Sequence, residues 1–156
     1  VILGIDPGPA QSALCYVARG YEVKTADKVD NDVLIRDFLK IDPIIRQVAI
    51  ESIQSYGMAV GREVFDTCFM IGRLIQVCRD RGIPYALYPR PEYARRICGV
   101  GKVNDSVLRQ ALLLRFGGDK KGEPLYALKG CTDKRSAFAV AAYHIDVTTN
   151  ERSANA

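Results

Sequence analysis

Residues 1–8, VILGIDPG, decide the fold. Four apolar residues and a glycine precede a single carboxylate, Asp6, which stands immediately before the turn Pro7-Gly8-Pro9. A run this apolar reads as a buried interior strand whose last side chain leaves the sheet at its C-terminal edge, where open α/β sheets place ligands. A second strand, VAIES at 48–52, also carries its acid, Glu51, at the C-terminal end. An unpaired carboxylate there would cost several kcal/mol to bury, a cost that a metal ion or an arginine partner removes. A third acid, Asp133, opens a helix of small residues near the C-terminus. Each acid has an ordinary alternative. Asp-Pro-Gly is common turn chemistry, and an acid in the first turn of a helix is favoured by the dipole. Their joint placement on one sheet edge is the informative feature.

The segments between these acids complete the pattern. Residues 12–19 (SALCYVAR) and 21–29 (YEVKTADKV) read as two strands around Gly20, an antiparallel meander with the first. Asn31 or Asp32 caps a helix with apolar positions Val33, Leu34, Phe38 and Ile41, and Pro43 lies beyond its end. Helices are expected at about 61–81, closed by Gly82, then at 91–98, at 104–116 closed by Gly117-Gly118, and at 133–147. A strand lies at 85–88. A meander followed by helix–strand alternation predicts an α/β fold with a mixed five-stranded sheet flanked by helices.

The chain has 156 residues, 48% hydrophobic and 26% charged, which fits a single domain over 1–156 with one substantial core. The reading expects no membrane span and no secretory leader. Five scattered cysteines and one histidine make neither a zinc site nor a disulfide framework, so reduced thiols in a cytoplasmic setting are expected. A net charge of +4 permits a polyanionic partner without requiring one. Basic residues crowd into the segment leading to Asp133, which favours nucleic acid.

Hard oxygen ligands suit Mg²⁺, with Mn²⁺ as the alternative. In phosphodiester hydrolysis two such ions about 4 Å apart clamp the attacking and leaving oxygens in line. Asp6, on the central strand, is the expected bridging ligand, with Glu51 and Asp133 holding one ion each.

GIDPG, the IES strand and the DKRSAFAVAAYH helix, in this order and spacing, resemble the RuvC-type Holliday junction resolvases of the ribonuclease H-like superfamily. YGMAVGREVFDTCFMIGR, and VLRQALLLRFGG followed by PLYALKG, resemble the phage and prophage branch of that family. The resemblance covers essentially the whole chain. It implies a homodimeric endonuclease, acting in the bacterial host cytoplasm if phage-encoded, that nicks opposed strands of branched DNA symmetrically. Asp6, Glu51 and Asp133 match the family's catalytic acids. Ser136 stands where many members carry a further aspartate, and is expected to hydrogen-bond a metal-bound water, a weaker contact than ligation. A family lysine is also displaced: Asn104 and Asp105 occupy the nearest positions, and Lys102 is the expected substitute. These two departures keep a non-catalytic or weakly catalytic branched-DNA-binding protein as the alternative. An actin-like ATPase is rejected, since it needs two such domains, so no nucleotide cofactor is expected.

DNA contacts are expected from Tyr56, Arg62, Arg95, Arg96, Lys120, Lys121, Lys129 and Arg135. The helix at 61–81 carries more apolar residues than the stripe of about 100° that one core face needs. Its surplus, with Gly61 and Gly72, fits a dimer contact as well as a sandwiched helix, and the resemblance favours the dimer.

Overall fold

The computed structural model describes residues 1–40 and 44–154. Five strands, β1 (Ile2–Asp6), β2 (Gln11–Val17), β3 (Val23–Asp30), β4 (Gln47–Ser52) and β5 (Tyr85–Pro89), form one sheet in the order β3-β2-β1-β4-β5. β1 to β3 make the antiparallel meander, whereas β1, β4 and β5 run parallel. The mixed five-stranded sheet expected from the sequence is therefore the one observed. Parallel strands need crossover connections, and here the crossovers are helical. The helices are α1 (Asn31–Lys40), α2 (Arg62–Asp80), α3 (Arg90–Cys98), α4 (Asp105–Phe116) and α5 (Thr132–Ala154).

Side chains alternate across a strand, so each strand feeds two core layers. Leu3 and Ile5 of β1, with Val48 and Ile50 of β4, pack under Leu34 of α1 and Met70, Ile71, Leu74 and Val77 of α2. The opposite parity, Ala13, Cys15 and Val17 of β2 with Ala49 of β4, packs against α3, α4 and α5. Asp6 and Glu51 share this second parity, so both acids face the layer that contains α5.

α5 lies directly on β1. A Cβ added at Gly4 would fall 1.9 Å from the Ala137 carbonyl oxygen and 2.8 Å from the Ala141 Cβ. Glycine in the strand and alanines one helical turn apart let the two backbones touch. The contact fixes where α5 begins relative to the end of β1.

Several boundaries differ from expectation. β2 starts at Gln11 and stops at Val17, and a short 3₁₀ turn, Arg19–Tyr21, occupies the place assigned to strand ends. The cap of α1 is Asp30, whose Oδ1 accepts from the backbone N–H of Asp32 at 2.9 Å. Asn31 instead turns inward, donating to the Gly8 carbonyl at 2.9 Å and accepting from Ser12 Oγ at 2.7 Å. It thereby ties the turn after Asp6 to the meander. The Phe38 side chain, Ile41 and Pro43 lie outside the described residues. α2 ends at Asp80, and Gly82, just beyond its C-cap, turns the chain with a φ of 62° that only glycine adopts freely. α5 runs on to Ala154, beyond the expected 147, although its core contacts end at Ile145. No helix among the described residues is long and apolar enough to cross a membrane. All five cysteines are free thiols.

Candidate active site

In the β1–β4 ladder Ile5 is opposite Ile50, so Asp6 and Glu51 are the next residues along adjacent parallel strands. In the β4–β5 ladder Glu51 is opposite Tyr88, which places Arg90, two residues on, at the same sheet edge. α5 brings Asp133 to this edge in its first turn. The topology thus gathers the three expected acids into one electrostatic neighbourhood. The Asp6 carboxyl is pushed up to about 8, first by burial and then by the charges of Glu51 and Asp133; Arg90 and Lys28 pull it down. Burial also raises Glu51, against a hydrogen bond from Tyr93 and the charge of Arg90.

Glu51 and Asp133 have distinct partners. Tyr93, fully buried on α3, donates its hydroxyl to Glu51 Oε2 at 2.5 Å. Lys28, on β3, donates to Asp133 Oδ2 at 2.5 Å. Arg90 donates through Nη1 to Ser136 Oγ at 2.8 Å and through Nη2 to Asp105. Burial works against the charge on Arg90, but Tyr93, Glu51, Asp105 and Asp6 more than offset it. A cleft of about 370 Å³ opens beside these groups, lined by Asp6, the turn Pro7–Gln11, Lys28 and Asp133.

Ser136, expected among the metal contacts, is fully buried and engaged by Arg90. Lys102 is exposed in the turn before α4, where Asn104 caps the helix by accepting from Val107 N at 2.9 Å. Among the expected DNA contacts, Tyr56 and Arg62 are exposed near the start of α2, and Lys120, Lys121 and Lys129 on the loop before α5. Arg95 is exposed on α3. Arg96 acts on Asp146, which lies about 20 Å along α5 from Asp133 at 1.5 Å per residue. Arg135 lines a small cavity with Arg109 and Asp119, which pair at 2.7 Å.

Three residues of the site were not singled out from sequence: Arg90, Lys28 and Tyr93. Arg90 was one of many surface arginines until β5 was paired. Its position directly after a strand parallel to β4 was the available signal.

The donor set suits a hard divalent cation: two half-buried carboxylates on strand ends and a third on a helix start, with like charges raising the pKa of Asp6. Among the described residues, no three acidic, histidine or cysteine side chains enclose an ion as they lie. Asp133 is turned to Lys28, so enclosure requires that ion pair to exchange. Asp6, Glu51 and Asp133 would hold the cation, which on binding supplies charge neutralisation and an activated water.

No family model and no curated protein sequence matches the chain. Solved structures do. Thermus thermophilus RuvC aligns with a TM-score of 0.67 at 14% identity, covering 95% of this chain and 96% of that one. The same protein in complex with a Holliday junction substrate aligns with a TM-score of 0.72 at 16% identity, over 94% and 93%. The Fowlpox virus resolvase, in complex with substrate Holliday junction DNA, aligns with a TM-score of 0.62 at 12% identity, over 94% and 99%. With near-complete coverage in both directions, the fold of this chain is that of Thermus thermophilus RuvC and the Fowlpox virus resolvase.

Proposed function

We propose that the chain is a metal-dependent endonuclease that recognises four-way and related branched DNA and nicks it by phosphodiester hydrolysis. The observation that carries this reading is the meeting of Asp6, Glu51 and Asp133 at one sheet edge. It is supported by whole-length likeness of fold to proteins solved with Holliday junctions. Mg²⁺ is the proposed cofactor, held by the three acids. Tyr93 orients Glu51, and Arg90 sets a fixed positive charge beside the acids. Tyr56, Arg62, Arg95, Lys120, Lys121 and Lys129 are proposed to track the DNA backbone or stack on unpaired bases. The working unit is a homodimer whose two sites cut opposed strands, and residues 1–156 act as one nuclease domain.

A junction-binding protein without nuclease activity is the second reading. The engagement of Ser136 by Arg90 and of Asp133 by Lys28 favours it, because both side chains are already occupied. One experiment separates the two: incubation with Mg²⁺ and labelled four-way, three-way, flap and linear duplex DNA, using wild type and Asp6→Asn. Nicking of branched substrates by wild type, lost in Asp6→Asn with binding retained, is the expected result. Binding without nicking by wild type establishes the second reading. Cleavage by Asp6→Asn within tenfold of wild type removes the assignment of Asp6.

A further inference from the structure

Lys28 lies in line with the acids across the sheet. β1 pairs Asp6 with Ala13, and β2 pairs Ala13 with Lys28, so the three occupy one row across β1, β2 and β3. Residues paired across neighbouring strands point to the same face. Ala13 is fully buried in the layer beneath α5, which puts Lys28 on that face with Asp6. From this row the lysine reaches from the third strand to the start of α5. There its ammonium sits 2.5 Å from Asp133 Oδ2, and both residues line the cleft that contains Asp6.

This placement is unusual for a surface lysine. Neighbouring β3 positions show exposed side chains with local partners, such as the Lys24–Glu22 pair within its own strand region. Lys28 instead makes a contact 105 residues away in sequence, directed into the acidic edge. The ion pair is about two-fifths exposed on both sides, and pairs of that kind are weak and exchange readily. An ammonium on a flexible four-carbon stem can therefore change partners without disturbing the sheet.

We propose that Lys28 is a further catalytic residue of this site, with two successive partners. Without a divalent cation it neutralises Asp133 and holds that carboxylate over the cleft. Lys28 yields Asp133 when a divalent cation binds, and its freed ammonium then contacts a non-bridging oxygen of the scissile phosphate. No bond to Lys28 is made or broken: it contributes charge and hydrogen bonds as the phosphate becomes more negative. The inference rests on the endonuclease reading for its second partner and on geometry alone for its first.

The two roles give opposite signs, which makes the test sharp. Lys28→Met keeps the length of the stem and removes the charge, and Lys28→Arg keeps the charge. Mn²⁺ binding to the DNA-free protein is measured by calorimetry, and single-turnover nicking of a four-way junction is measured at saturating Mn²⁺. For Lys28→Met, Mn²⁺ should bind about threefold to fivefold more tightly, the scale of one exposed ion pair. Nicking should slow by about a hundredfold, the scale of losing one charge-stabilising donor. Lys28→Arg should recover at least part of the nicking rate. Unchanged Mn²⁺ affinity and nicking in Lys28→Met would reduce the contact to a surface ion pair and overturn the proposal. Weaker Mn²⁺ binding together with slower nicking would mean that Lys28 only props Asp133 in place, which also overturns it. If wild type nicks nothing, the endonuclease reading fails, yet the Mn²⁺ arm still decides whether Lys28 competes for Asp133. Melting temperatures of the three proteins guard against misfolding.

Discussion

Asp6 is a half-buried acid placed beside two others, and its titration has consequences that can be measured. The folded-state pKa, about 8, lies above the ordinary carboxylate value, so between those two pH values the folded protein holds a proton that the unfolded chain has lost. Metal-free stability from this group is therefore present at acid pH and is lost as pH rises towards 8. A divalent cation must displace that proton, so metal binding and nicking at limiting Mg²⁺ should both rise with pH through the neutral range. The midpoint should move to lower pH as Mg²⁺ is raised. A pH profile that does not move with Mg²⁺ concentration would show that Asp6 is not the titrating ligand. Arg90 carries a second expectation at this scale. Its two nitrogens bridge Ser136 and Asp105, a planar fork that lysine cannot reproduce. Arg90→Ala should slow nicking by about a hundredfold, with Arg90→Lys recovering only part of it. Lys102→Ala should cost less than either, because Arg90 is held among the acids while Lys102 stands exposed in a turn. Larger damage from Lys102→Ala would return the role to the lysine first expected from sequence.

Among the elements, the β1–α5 contact carries the most strain-sensitive packing. Gly4→Ala forces a Cβ into the Ala137 carbonyl, backbone against backbone, where no rotamer change gives relief. The expected cost is about 3 kcal/mol, read as a fall in melting temperature of roughly 6–12 °C. A shift under 2 °C would mean that α5 does not rest on β1 this closely. The same element shows why some of the architecture was legible in advance and some was not. β1 and β4 announce themselves by uninterrupted apolar runs ending in a carboxylate, since burial on both faces leaves few other choices of residue. α5 is recognisable by its alanines, but no glycine or proline marks its far end in the sequence. The pairing of Lys28 with Asp133 could not be read from composition, because it depends on the register of two hairpins. The β1–β2 hairpin sets Asp6 opposite Ala13, and the β2–β3 hairpin, with its irregularity between Tyr16 and Val17, sets Ala13 opposite Lys28. Tyr93 was hidden for a different reason. A tyrosine on the inner face of a helix looks like core, and only its hydroxyl contact with Glu51 distinguishes it.

At the scale of the whole molecule, α2 presents two faces with different occupants. Met70, Ile71, Leu74, Val77 and Cys78 are buried against the sheet. On the other side Phe65, Cys68, Phe69 and Gly72 follow one another at helical spacing, all exposed, with Phe69 68% accessible. The preceding loop adds Met58 and Val60, also exposed. Two phenylalanines and a methionine turned to water on one side of the fold suit the homodimer contact proposed above. Gly72 leaves room for a second backbone, since nothing lies within 4 Å of where its Cβ would stand. The surface therefore fits a second copy of α2 crossing the first about a two-fold axis, a self-complementary contact of the kind that closes a dimer. Such an axis would set two copies of the Asp6–Glu51–Asp133 edge in fixed relation, as symmetric nicking of a four-way junction requires. Light scattering at micromolar concentration should give the mass of a dimer, and Phe65→Asp/Phe69→Asp should give a monomer. Neither side chain contributes to the core of its own protomer, so circular dichroism of the double variant should show the wild-type fold, with any change in melting temperature reporting only the lost interface. The monomeric variant should still bind a junction weakly, while paired nicks on opposed strands within one binding event should disappear. A wild-type monomer at these concentrations would leave the exposed stripe on α2 for some other partner and remove the geometric basis for symmetric cutting.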